Sequence, residues 1–121
     1  MRHLSRLEIK GIEFPDCNVS DFRATEKEVA FSCDGIYLNN EGLIISDVRV
    51  TIRGWKHLSI TRFNPHNSET IALAPIQSGE LREICECSFA DDHVVISGFE
   101  ATSGLWQEYN FTSPEVSVTI Q

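Results

Sequence analysis

Basic residues nearly vanish from the second half of this chain. From residue 61 onward only Arg62 and Arg82 occur, against nine Asp/Glu. After Arg82 there is no Lys or Arg, while Glu83, Glu86, Asp91, Asp92, Glu100, Glu108 and Glu115 are all acidic. Residues 1 to 60 hold eight Lys/Arg and nine Asp/Glu, so 8 − 9 = −1. Residues 61 to 121 give 2 − 9 = −7, and the whole chain 10 − 18 = −8. Phosphate backbones and anionic lipid heads repel such a chain, which argues against nucleic-acid and membrane-surface partners. The asymmetry fits a cationic partner or a solubilising surface.

Long apolar runs are also missing. None approaches the roughly 18 residues that cross a bilayer as a helix. The N-terminal MRHLSRLEIKGIEF has charges through its apolar residues and lacks the apolar core of a signal peptide. The expectation is a cytoplasmic protein with reduced thiols. The four cysteines, Cys17, Cys33, Cys85 and Cys87, form no C-x-x-C pair. Cys85 and Cys87 are i, i+2 on an expected strand and share a face, a poor arrangement for a mutual disulfide. They read as small buried hydrophobes. No P-loop, G-x-G-x-x-G, H-E-x-x-H or G-x-S-x-G occurs. His3, His57, His66 and His93 are far apart, with no ligand spacing to another His or Cys. Asp91-Asp92 reads as a solvated turn rather than a catalytic pair. The sequence therefore predicts no enzyme, no cofactor and no metal site.

No stretch of ten residues keeps a helical period, although one helical turn fits within 66 to 83. Apolar and polar residues alternate over Leu7–Lys10 and Ile12–Phe14, predicting a strand bulged at Gly11. Pro15–Asn18 reads as a turn, and residues 20 to 28 as a polar loop. Val29, Phe31 and Cys33 alternate next. Asp34-Gly35 predicts a hairpin returning through Ile36–Leu38, and residues 39 to 42 a second turn. Leu43–Ile45, Val48–Ile52 and Leu58–Arg62 read as further strands. Residues 64 to 69 and 75 to 80 read as loops, and Thr70–Leu73 is too short to classify. Strands every 8 to 12 residues predict a single all-β domain over residues 1 to 121. Its expected form is an antiparallel meander making a β-sandwich or partly rolled half-barrel, with little or no helix.

Turn lengths set a register for Ile84 to Ile120. A two-residue turn at Asp91-Asp92 opposes Phe89 to Val94, Cys87 to Ile96 and Cys85 to Gly98. A four-residue turn at Ala101–Gly104 opposes Ile96 to Tyr109 and Val94 to Phe111. A two-residue turn at Ser113-Pro114 opposes Phe111 to Val116 and Tyr109 to Val118. One face then collects Cys85, Cys87, Phe89, Val94, Ile96, Tyr109, Phe111, Val116, Val118 and Ile120, a core face. The other carries a row Glu86, Ser97, Glu108, Thr119 beside Ile84, Phe99 and Trp106. Two readings stay open for it. Phe99 and Trp106 form a second core under residues 64 to 83, or they anchor a protein-binding patch beside the carboxylates.

Gly98-Phe99 followed by Ser103-Gly104-Leu105-Trp106-Gln107-Glu108-Tyr109-Asn110-Phe111 resembles a "GF…SG-x-W-x-E-Y-x-F" hairpin of small bacterial proteins. In those it follows a strand, Trp, strand unit, matched here by Val48 to Phe63 around Trp55. The group is similar to cytosolic immunity proteins of polymorphic-toxin and contact-dependent growth inhibition systems. The resemblance implies a binding protein that neutralises a cognate toxin and carries no catalytic residues. A nuclease toxin must hold phosphate, so its site is basic and suits an acidic inhibitor. The expected contacts are Glu86, Asp91, Asp92, Phe99, Trp106 and Glu108. A second reading is a small-molecule or carbohydrate-binding β-sandwich that uses Trp55, Trp106 or Tyr109 as a stacking platform.

Overall fold

The computed structural model describes residues 1–14, 16–39 and 41–121. Among the described residues the chain is all-β and antiparallel, apart from one short helix and a 3-10 turn at Pro75–Gln77. Its strands are β1 (Arg2–His3), β2 (Ile12–Glu13), β3 (Cys17–Ala24), β4 (Glu28–Cys33), β5 (Ile36–Leu38), β6 (Leu43–Ile45) and β7 (Val48–Arg53). They continue as β8 (His57–Asn64), β9 (Glu69–Leu73), β10 (Leu81–Phe89), β11 (His93–Glu100), β12 (Trp106–Thr112) and β13 (Glu115–Ile120). Ten strands make one open sheet in the order β1-β13-β7-β4-β3-β10-β11-β12-β8-β9, and β2-β5-β6 make a second.

The large sheet rolls at β3. Cys17 and Asn18 pair with β10, whereas Val19 to Ala24 pair with β4. A bulge between Ser20 and Arg23, with Asp21 at φ 50°, bends the strand there. Bulges increase local twist, so the two halves of the sheet turn their apolar faces toward each other. Phe22 of β3 packs at 6.0 Å from Phe31 and 5.7 Å from Tyr109, and Trp55 lies 5.4 Å from Phe111. Val29, Phe31, Val48, Val50 and Ile52 of one half meet Ile84, Val94, Ile96, Tyr109 and Phe111 of the other in one buried cluster.

The register expected over β10, β11 and β12 holds at Phe89–Val94, Cys87–Ile96, Ile96–Tyr109 and Val94–Phe111. It departs at two places. A bulge between Ile84 and Glu86 opposes Ile84, not Cys85, to Gly98. Ile84 is thereby fully buried, and Cys85 leaves the core face. The Ser113-Pro114 step is not a hairpin turn. Ser113 sits at φ 50°, and the chain crosses to the other half, where β13 pairs with β7. β8 takes the place beside β12, opposing Phe111 to Leu58 and Tyr109 to Ile60.

Four further expectations are corrected. Residues 6 to 10 form helix α1 (Arg6–Lys10) rather than a strand. Ser5 and Glu8 make a reciprocal capping box that satisfies the first free N–H groups. Asp34-Gly35 does not close a hairpin. Asp34 accepts hydrogen bonds from the Asn18 main chain and side chain, and β5 leaves to pair with β2 and β6. Residues 20 to 24 belong to β3 instead of a loop. Of the expected turn at 15 to 18, Pro15 lies outside the described residues, and Cys17 and Asn18 are strand.

Candidate functional site

Strands β10, β11, β12, β8 and β9 present an outer face opposite the core. Two cross-strand rows order it. The first runs Glu83, Phe99, Trp106, Phe63, Thr70, and the second Glu86, Ser97, Glu108, Thr61, Ala72. Phe99 and Trp106 meet edge to face at 5.3 Å and 80°, a favoured geometry for an aromatic pair. Both rings are half-buried, and Phe63 beside them is 39% exposed. Ser97 Oγ donates to Glu108 Oε1 at 3.3 Å, and Asn110 Nδ2 donates to Glu108 Oε2 at 2.9 Å. His93 Nε2 lies 3.2 Å from Asn110 Oδ1. The Glu108 carboxylate is thus held in place with no basic partner among the described residues.

Residues 64 to 83 do not roof Phe99 and Trp106, so they form no second core beneath that segment. The segment instead adds β9 to the edge of the sheet and then packs residues 75 to 80 on the inner side. The cause is a polar cluster. The Ser78 carbonyl accepts from Gln107 Nε2 at 2.8 Å and Arg62 Nη2 at 3.1 Å. Arg62 Nε donates to Gln107 Oε1 at 2.7 Å, and Gln107 Nε2 also donates to the Tyr109 hydroxyl at 2.8 Å. Gln107 and Ser78 are fully buried, so these bonds avoid a large desolvation cost.

Glu100 closes this cluster at 3% exposure. It accepts from the Thr102 and Ser103 main chains at 2.6 and 2.9 Å and lies 3.5 Å from Arg62 Nη2. Burial alone would raise its carboxyl pKa. The donors and Arg62 outweigh burial and hold it below the ordinary value. A depressed folded-state pKa gives stability that is present above the unfolded value and lost as pH falls through the folded one. Denaturant titrations from pH 7 to pH 3 should therefore show the wild type losing more stability than Glu100→Gln in the acid range. Equal slopes for the two proteins would contradict this role.

The structure brings together four of the six expected contacts. Glu86, Phe99, Trp106 and Glu108 share the outer face. Asp91 and Asp92 lie at the β10–β11 hairpin tip, eight and seven residues before Phe99 and roughly 23 Å or more along the strand from it. Lys10 of α1 pairs with Asp91 at 2.6 Å, which lowers its carboxyl pKa, and Asp92 is exposed. Thr61 takes the place in the acidic row expected for Thr119, which lies on β13. Phe63 was missed. Its signal was an aromatic out of phase with the inward positions Leu58, Ile60 and Arg62.

A second acidic surface lies across the molecule. A cleft of about 1000 Å³ is lined by Asp21, Asp34, Asp47 and Glu80 together with Arg23 and Arg49. Arg49 Nη1 donates to the Asp21 carbonyl and Ser32 Oγ, both at 3.1 Å. None of the rings of the stacking-platform reading lines that cleft. Tyr109 is fully buried, Trp55 packs on Phe111, and Trp106 alone of the three lies on the outer face. Among the described residues no helix is long and apolar enough to cross a membrane. No protein-family model, curated protein or solved structure matches the chain.

Proposed function

We propose that this chain is an immunity-type inhibitor that neutralises a basic cognate toxin of nuclease type by docking on the outer face of β10, β11, β12 and β8. The observation that carries the reading is the outer-face aromatic row Phe99, Trp106, Phe63 beside the carboxylates Glu86 and Glu108, which have no basic partner among the described residues. Interface anchors are enriched in Trp, and fixed carboxylates select Arg and Lys on a partner. A broad sheet face suits a protein rather than a small ligand, which needs a concave site. The net charge of −8 supports rapid, salt-sensitive association with a cationic surface. On this reading the protein acts by occlusion, performs no chemistry and works in the cytoplasm.

The test is a titration against the product of the adjacent upstream reading frame. Toxicity should disappear at one equivalent of this protein, and the apparent affinity should fall as salt rises. A non-toxic product, or toxicity that persists at molar excess, removes the proposal.

A further inference from the structure

Beyond Ile84, β10 has no strand partner on the side away from β11 among the described residues. The small sheet packs there and leaves a groove of about 560 Å³. One wall is Glu86-Cys87 of that free strand edge, with Phe14. The other is Glu13, Tyr37 and Ile44, which form one cross-strand row over β2, β5 and β6. Their neighbours Ile12, Ile36 and Leu38 point into the core, so this row is the outward face of the small sheet. Ile44 is 73% exposed on the groove wall. Glu13 and Glu86 make no ion pair with any described residue.

We infer that this groove receives an extended, arginine-bearing segment of the partner protein. Three features select that occupant. The free edge of β10 offers main-chain groups that an extended backbone satisfies. Phe14, Tyr37 and Ile44 give an apolar and aromatic bed for the stem and guanidinium plane of arginine. Glu13 and Glu86 supply carboxylates of opposite sign to the fork of donors, and charge-assisted bonds of that kind are the strong ones. Glu86 also ends the acidic row of the outer face, so groove and face are continuous. The inference rests on the reading of that face as a docking surface, and it supplies a specificity pocket at its margin.

The test uses the intact protein and the capped tripeptide acetyl-Val-Arg-Val-amide, followed by amide and carboxyl NMR shifts. Saturable shifts are expected at Glu13, Tyr37, Ile44 and Glu86, with weak, salt-sensitive affinity. The citrulline tripeptide keeps the shape but not the charge and should produce none. Glu13→Gln and Glu86→Gln should each weaken arginine-peptide binding about tenfold, as expected for losing one charge-assisted partner. Shifts that do not saturate, that citrulline reproduces, or that centre on the Asp21, Asp34 and Asp47 cleft overturn the inference. Toxin neutralisation separates the two claims. If Glu13→Gln neutralises as well as wild type while Trp106→Ala does not, the groove fails and the face stands. If the peptide binds but no toxin is neutralised, the functional reading fails and the groove stands.

Discussion

Gly98→Ala should lower the melting temperature by about 10 to 15 °C, corresponding to roughly 3 kcal/mol or more. A methyl group at Gly98 would collide with the Glu83 carbonyl oxygen, and would lie 2.9 Å from the carbonyl carbon and 3.1 Å from Ile84 Cα. These are main-chain atoms of the neighbouring strand, which cannot turn away as a side chain can. They lie in a stretch of β10 bulged on both sides of Ile84. The same bulge buries Ile84 and turns Cys85 out of the core, so moving it would disturb the packing against β3 as well. Ser97→Ala on the adjacent outer position should cost far less, about 1 kcal/mol, since it removes a single 3.3 Å hydrogen bond. Differential scanning calorimetry of the two variants checks both. A Gly98→Ala protein as stable as wild type would show that β10 and β11 separate more readily than their register implies.

On the proposed function, Trp106→Ala should weaken toxin binding about 30- to 1000-fold, roughly 2 to 4 kcal/mol, while leaving a folded protein. Its ring meets Phe99 edge to face on the outer face and is half-buried, so removal costs folding the aromatic contact plus the apolar area the ring covers, about 2 to 3 kcal/mol together. In the complex the same ring would be fully desolvated, where an anchor residue contributes most. Glu108→Lys should lose as much or more. It replaces a carboxylate fixed by Ser97 and Asn110 with a charge of the partner's own sign. Asp91→Asn should have a small effect, because Asp91 already pairs with Lys10 at the far end of the sheet. Isothermal titration of the three variants, with circular dichroism melts beside it, separates binding from stability. Equal losses for Asp91→Asn and Trp106→Ala would place the contact elsewhere.

The part of the fold most legible in the sequence is β10 to β12. Short turns at Asp91-Asp92 and Ala101–Gly104, with unbroken alternation between them, leave one register that keeps Val94, Ile96, Tyr109 and Phe111 on one side. That register also placed Phe99 beside Trp106 and Glu108 beside Ser97 correctly. It failed where long-range packing overrides local turn chemistry. Ser113-Pro114 has the length of a hairpin turn, yet β12 gains more from β8, whose Leu58 and Ile60 extend the core face, than from β13. Asp34-Gly35 is misleading for a similar reason, since Asn18 captures the Asp34 carboxylate. Leu7–Lys10 alternates like a strand over too few residues to exclude a helix, and the Ser5, Glu8 capping spacing carried the better signal. That Phe99 and Trp106 stay half-buried on the outer face, and not under residues 64 to 83, was not legible. It depends on which side of the sheet residues 75 to 80 pack, and Gln107, Arg62 and the Ser78 carbonyl decide that through contacts distant in sequence.

The proposed partner sits on the outer face of β10, β11, β12 and β8. The most direct measurement is NMR cross-saturation from the bound toxin to this protein. Saturation should centre on Phe63, Phe99, Trp106, Glu108 and Glu86 and leave Asp21, Asp34 and Asp47 unaffected. A footprint on the cleft around Asp21, Asp34 and Asp47, with the aromatic row untouched, would contradict it.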